Sequence, residues 1–281
     1  MIDNYITKLE SKTIISLSGK DAETFLQNVI TNDITQLKSE IAIYSALLNP
    51  QGKLSNHFIL FKIDNKIHLL VDDSLKHDLI TKINLYKLKM EVVVKQESDL
   101  NCIFFKNTNK INFDKQIIFK DPRIKQLGNY LICSNDYIKN LSINKNFKFN
   151  KQDHYYELLN NFGMVDECLK NLKEKYFSLE CNLKELNAIS FDKGCYIGQE
   201  NTARMNLKDK ISRRLFKIET KAALTIDENI FYEKQVVGKV VSETPAFGIF
   251  KMEKFKNYAD NILITSSDKK LKLLRQNWLN I

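Results

Sequence analysis

Apolar and polar positions alternate with a period near two along much of this chain and change to helical spacing in a few places. Residues 13–17 read as a strand, after which Phe25, Leu26, Val29 and Ile30 share a helix face, with Ser18 or Asp21 placed to cap it. A strand over 44–48 runs into Asn49-Pro50-Gln51-Gly52, which has turn chemistry, and returns as a hairpin partner over 54–62. Asp64-Asn65-Lys66 turns the chain into a strand over 67–71. Asp72-Asp73-Ser74 then offers caps to a helix carrying Leu75, Leu79, Ile83 and Tyr86. Further strands are predicted over 90–94, 100–105, 117–119 and 130–133, with loops at 107–110 and at Asp121-Pro122-Arg123. Residues 139–151 read as polar and irregular, and 153–161 as a helix that stops at Gly163. Past residue 213 come six short alternating segments, at 215–218, 230–232, 236–241, 246–250, 262–265 and 271–274. The expectation is an α+β region over 1–210, with a largely antiparallel sheet, and a small β-barrel or sandwich over 211–281.

Composition narrows the class. A length of 281 residues suits two domains or one large one, and 43% hydrophobic with 27% charged residues is ordinary for a globular protein. No apolar run reaches the ~18 residues of a membrane helix, so no membrane partner is expected. The first twenty residues hold Asp3 and Glu10, no Arg and no long apolar block, which argues against a secretory or mitochondrial leader and for a cytoplasmic protein. The net charge is +9, yet only five of the 43 basic residues are Arg. Scattered Lys beside abundant Asn and Ile predicts no stable nucleic-acid binding, although attraction to a phosphorylated or polyglutamylated ligand fits. The five cysteines (Cys102, Cys133, Cys168, Cys181 and Cys195) form no C-x-x-C pair and have no His at ligand spacing. Neither a disulfide framework nor a stable metal site is expected, and most of the thiols should be buried and reduced.

One segment carries candidate chemistry. Gly194 and Gly198 flank Cys195-Tyr196-Ile197 after a strand-like 188–191, and a short helix is predicted over 199–205. Glycines allow a sharp turn, and a helix start presents free N–H groups. A cysteine there, beside Lys193, is expected to have a lowered pKa. Glu200 and Arg204 are spaced to pair along a helix face. The alternative is a tight strand–helix junction in which Cys195 is a small buried residue.

The run Lys193-Gly194-Cys195-Tyr196-Ile197-Gly198-Gln199-Glu200 with Arg204 resembles the K-G-C-[FY]-x-G-Q-E-x-x-x-R signature of the YgfZ/GcvT-like family. Asp21-Ala22 with Phe25-Leu26-Gln27, Ile30-Thr31-Asn32-Asp33, Asn49-Pro50-Gln51-Gly52-Lys53, Leu85-Tyr86-Lys87-Leu88, Asp121-Pro122-Arg123 and Ser178-Leu179-Glu180-Cys181-Asn182-Leu183 fit in the same order. The resemblance implies a folate-binding region of two lobes followed by a C-terminal β-barrel, with tetrahydrofolate as cofactor. It also implies a role in iron–sulfur cluster assembly, of the [4Fe–4S] class, with iron–sulfur carrier or target proteins as partners. Glu180 matches the position that holds the pterin edge, with Asn182 beside it, and Cys195 with Lys193 forms the reactive pair, the thiol serving as nucleophile or transient cluster ligand. The alternatives are a folate-dependent aminomethyltransferase-like enzyme and an interaction module for tRNA-modifying radical enzymes. Asn56 stands where the aminomethyltransferase carries an Asp, and an amide cannot ionise. His57 beside it reads as an exposed strand residue, and His68, His77 and His154 show no partner spacing. The stretch after Arg204 lacks the glycine that many members have there.

Overall fold

The computed structural model describes residues 5–38, 40–106, 116–143, 147–164, 166, 169–208 and 211–280. The chain opens with β1 (Tyr5–Lys8), β2 (Lys12–Ser18), α1 (Ala22–Val29), β3 (Ile43–Leu48), β4 (Leu54–Ile63), β5 (Lys66–Asp72), α2 (Lys76–Tyr86) and β6 (Val93–Gln96). It continues through β7 (Leu100–Phe105), β8 (Ile117–Lys120), β9 (Asn129–Ser134), α3 (Asn135–Ile143), β10 (Lys148–Asn150), α4 (Asp153–Asn161), α5 (Leu169–Leu172) and α6 (Gln199–Leu207). The last part holds β11 (Arg213–Glu219), β12 (Asn229–Tyr232), β13 (Gln235–Glu243), β14 (Ala246–Lys251), α7 (Phe255–Tyr258), β15 (Ile262–Thr265) and β16 (Lys270–Leu274). The fold is mixed α+β, with two five-stranded sheets and a closed six-stranded barrel.

The chain divides into two compact units. The first, residues 1–47, 56–158 and 186–197, holds both open sheets, ordered β3-β4-β5-β2-β6 and β10-β1-β7-β9-β8. Phe25, Leu26 and Val29 of α1, with Leu79 and Ile83 of α2, are the helix-period positions, and they bury against Ile15, Leu17, Leu60 and Leu69 of the first sheet. Each such side chain stabilises the fold by ~1.5–3 kcal/mol on burial. The second sheet buries Ile6, Ile103, Phe105, Leu131 and Cys133 with Leu141 of α3. Phe61 stacks on Phe119 at 5.2 Å, and Phe119 on Tyr130 at 5.4 Å, joining the two sheets through rings.

The second unit, residues 48–55, 159–185 and 198–281, contains the barrel, ordered β11-β14-β13-β12-β15-β16. Closure leaves no free strand edge, and Phe216, Ile230, Val240, Phe250, Leu263 and Leu271 fill the interior. All six segments predicted past residue 213 are barrel strands.

Several local expectations change. Residues 139–151 were expected to be irregular, but α3 covers 135–143 and β10 pairs in parallel with β1. α3 is amphipathic, with Leu141 buried and Ile143 exposed, and tertiary contact stabilises a segment whose propensity is weak. The strand expected over 90–94 is β6, at Val93–Gln96. The strand-like 188–191 is not a strand: its polar groups bond to the loop after α1. His57 is buried at 4% exposure, because β4 is covered on both faces and Asn56 on the other face is buried too. Asp21 lies at the α1 N-cap position without a side-chain capping bond; its Oδ2 accepts from the Glu91 N–H instead. The loop expected at 107–110 lies outside the described residues, as does Cys168.

Candidate functional site

In the first unit the segment 187–197 is sewn to the end of α1 and the loop after it. The Thr31 hydroxyl donates to the Ala188 carbonyl at 2.6 Å, and the Ser190 N–H donates to the Thr31 carbonyl at 3.1 Å. Asn32 Nδ2 donates to the carbonyls of Tyr44 and Asn187, both at 2.8 Å. Lys193 Nζ donates to the carbonyls of Gln27 and Ile30 at 2.7 Å each and of Asn32 at 3.0 Å. Its ammonium also lies 5.0 Å from the centre of the Tyr196 ring. Burial pulls the Lys193 pKa down to about 8, against the opposing charge of Asp33. On the far side of the turn, the Ile197 N–H donates to the Asn28 carbonyl at 3.2 Å.

Between these anchors Gly194 and Cys195 form an apex. A Cβ placed on Gly194 would meet nothing within 4 Å, and Cys195 is exposed. Cys102, Cys133 and Cys181 are buried. Burial pushes the Cys133 thiol up to about 11 and the Cys102 thiol up as well, so these sulfurs stay protonated and inert. The bland expectation for Cys195, a small buried packing residue, does not hold.

A cavity of about 700 Å³ opens in the same unit. Tyr44, Ile43 and Phe119 give it flat apolar walls; Asn32, Asn129 and Asn187 give it polar ones; Lys120 and Lys125 stand exposed at its mouth. Asn32 therefore belongs both to the cavity wall and to the Lys193 anchor. Arg123 and Asp121 also line the cavity; the Arg123 guanidinium lies 5.6 Å from the Tyr44 ring centre and pairs with Asp121 at 2.7 Å and 3.1 Å. The hydroxyls of Tyr130 and Tyr155 lie 2.8 Å and 3.1 Å from the same guanidinium nitrogen. Burial works against the Arg123 charge, but Asp121 holds its pKa well above the ordinary arginine range. The Tyr44 hydroxyl meets His57 Nδ1 at 3.1 Å, which is the partner that lets His57 be buried. In the sequence Asp121-Pro122-Arg123 reads as a loop and as one segment of the family resemblance, with no role for its side chains. The available signal was the scarcity of Arg: three of the five pair with carboxylates that are mostly or wholly buried, namely Asp121, Glu180 and Glu185.

In the second unit Glu180 is buried at 1% exposure and both its oxygens are engaged. Oε1 accepts from Arg213 Nε at 2.8 Å, and Oε2 accepts from the Phe177 N–H at 3.0 Å. Asn182 has φ +60, donates from Nδ2 to the Leu215 carbonyl at 2.8 Å and accepts from Arg214 Nη1 at 3.1 Å. Gly198 caps α6 with φ +79 and packs against the hairpin turn: a Cβ on it would lie 3.1 Å from Gly52 Cα. Asn201 Nδ2 donates to the Gln51 carbonyl at 2.8 Å, so the Asn49–Gly52 turn and the helix start of the signature touch. Glu200 and Arg204 pair at 2.5 Å on the exposed face of α6, a contact that contributes little in water. Among the described residues no group of three or more His, Cys, Asp or Glu is placed to hold a metal ion, and no helix is long and apolar enough to cross a membrane.

The chain is similar to known proteins over most of its length. The chain is 26% identical over 219 residues to the mitochondrial iron–sulfur cluster assembly factor IBA57 homologue of Pyricularia oryzae, covering 74% of this chain and 56% of that protein. It is 26% identical over 236 residues to the tRNA-modifying protein YgfZ of Hamiltonella defensa, covering 76% and 69%. Over most of its length the chain is similar to IBA57 and YgfZ proteins. It spans little more than half the length of the fungal IBA57 homologue. No protein-family model matches it. The fold is shared with the glycine cleavage system aminomethyltransferase T of Bartonella henselae, at a TM-score of 0.75 over 99% of this chain and 87% of that one, with 14% identity.

Proposed function

We propose that this chain is a tetrahydrofolate-binding factor for the maturation of [4Fe–4S] proteins, with Cys195 as its working thiol. The observation that carries the reading is the exposed Cys195 at the apex of a turn anchored on both sides. A single thiol cannot hold a cluster, which needs about four protein ligands. A cluster is therefore cargo, shared in passing with a carrier or target protein, and an apex thiol is open to such a partner.

Tetrahydrofolate, when bound, supplies a reduced pterin able to carry a one-carbon unit. The residues of the first unit suit it: a cavity of about 700 Å³ with the flat faces of Tyr44 and Phe119 and the amide edges of Asn129 and Asn187. That size lies within the ~300–1,000 Å³ of small-molecule sites. Lys120 and Lys125 at the mouth suit the carboxylates of a glutamyl tail. Glu180, which the resemblance gives to the pterin edge, is in the second unit, is bonded to Arg213 and the Phe177 N–H, and is not among the residues that line this cavity. Aminomethyl transfer of the glycine-cleavage kind is disfavoured by Asn56, a buried amide that cannot take up or release a proton, while other folate-dependent one-carbon transfers are left open by it.

Two measurements test the reading. Tetrahydrofolate at about a hundred times its Kd is expected to raise stability by ~2.7 kcal/mol, seen as a higher melting temperature. In a strain lacking its own copy, the wild-type chain is expected to restore aconitase-type activity and Cys195→Ala is not. No thermal shift at millimolar folate would favour the reading of an interaction module for tRNA-modifying radical enzymes; the bacterial relative is itself named a tRNA-modifying protein.

A further inference from the structure

We propose that Lys193 is a positioning residue: its ammonium locks the turn that presents Cys195 onto the end of α1 and does not act on the thiol. The inference rests on the reading of Cys195 as the working group.

A lysine ammonium has three N–H donors. At Lys193 three carbonyls, those of Gln27, Ile30 and Asn32, lie at 2.7, 2.7 and 3.0 Å, so each donor has an acceptor and none is left for a sulfur. These carbonyls belong to the end of α1 and the loop after it, where backbone acceptors lack helical partners and a cation is favoured. The neighbouring Asn28 carbonyl takes the Ile197 N–H from the other side of the turn. The segment Gly194–Tyr196 is thus held at both ends by one helix terminus, with Tyr196 packed 5.0 Å from the ammonium. A Cβ on Gly194 would meet nothing within 4 Å, so no packing at that position fixes the direction in which Cys195 points, and the two anchors do. An arginine retains the charge but not the geometry, because its planar fork cannot converge three donors on carbonyls around a single point.

The test compares Lys193→Met and Lys193→Arg with the wild-type chain. Amide exchange at Ile197 is expected to quicken by about tenfold or more in both variants, with β13 and β14 unchanged. The pH midpoint for alkylation of Cys195 is expected to stay within about 0.3 unit of wild type. Restoration of aconitase-type activity is expected to fall by about tenfold or more in both, at a melting temperature that leaves the protein folded. Full activity in Lys193→Arg beside an inactive Lys193→Met would overturn the proposal, as it would show that charge is what matters. So would unchanged exchange at Ile197, or a midpoint displaced by about one unit in Lys193→Met. If Lys193→Met does not fold, Lys193→Arg decides alone: rapid Ile197 exchange with lost activity supports the lock, and wild-type behaviour refutes it. Activity retained by Cys195→Ala would instead strike the thiol reading, while the exchange result would still report on the lock.

Discussion

At Gly198 φ is +79, and a Cβ would lie 2.4 Å from the Asn49 carbonyl oxygen and 2.9 Å from Leu48 Cβ. At Gly194, four residues earlier in the same signature, a Cβ meets open space. Gly198→Ala is therefore expected to cost ~2–4 kcal/mol in urea unfolding, from a strained backbone and a backbone clash. Gly194→Ala is expected to stay within ~0.5 kcal/mol. A similar cost for both would mean that the apex is packed. The spacing of the two glycines made the turn legible in the sequence; the different demands on them became visible only with their neighbours in place. Cys195 follows the same logic. Its exposure depends on what lies around the turn, and periodicity carries no record of that.

Among the elements, the Asp121–Arg123 pair decides how rigid the cavity wall is. Both side chains are nearly inaccessible, and Tyr130 of β9 and Tyr155 of α4 complete their hydrogen bonds. Removing one partner leaves the other as an uncompensated buried charge. Arg123→Met is expected to cost ~3–5 kcal/mol in urea unfolding. Arg123→Lys is expected to lose most of that, because a single ammonium cannot reproduce the two-pronged contact. A cost below ~1 kcal/mol for Arg123→Met would show that the network does not hold the wall. The strands and helices that frame this site were readable from alternation and helical spacing. The network was not, because its members are 121, 123, 130 and 155 and meet only when β8, β9 and α4 pack. α3 escaped for a related reason: Leu141 gains its partners from the second sheet, and the segment alone reads as polar.

On the scale of the whole molecule, the barrel has an acid-sensitive fastening. Burial works against the charge of Glu228, but hydrogen bonds from Thr265, Ser267 and the Thr225 N–H hold its pKa down to about 2. The folded value lies below the ordinary one, so the stabilisation is full above about pH 4.5 and is lost as pH falls toward 2. The difference in melting temperature between wild type and Glu228→Gln is expected to shrink steadily over that range. A difference independent of pH would mean that Glu228 stabilises the barrel through packing alone. This dependence belongs to the second unit, whereas the expected response to folate reports on the cavity of the first, so the two can be read separately.

By itself the sequence determined the α+β class, the six barrel strands and the signature turn, since each rests on local spacing: two for strands, 3.6 for helices, and glycine where the backbone turns sharply. Tertiary structure alone decided which of the described cysteines faces water, which carbonyls receive the Lys193 ammonium and what occupies the oxygens of Glu180. Those outcomes depend on groups brought together from distant parts of the chain, as with Lys193 and Ile30, which are 163 positions apart, and no local pattern encodes them.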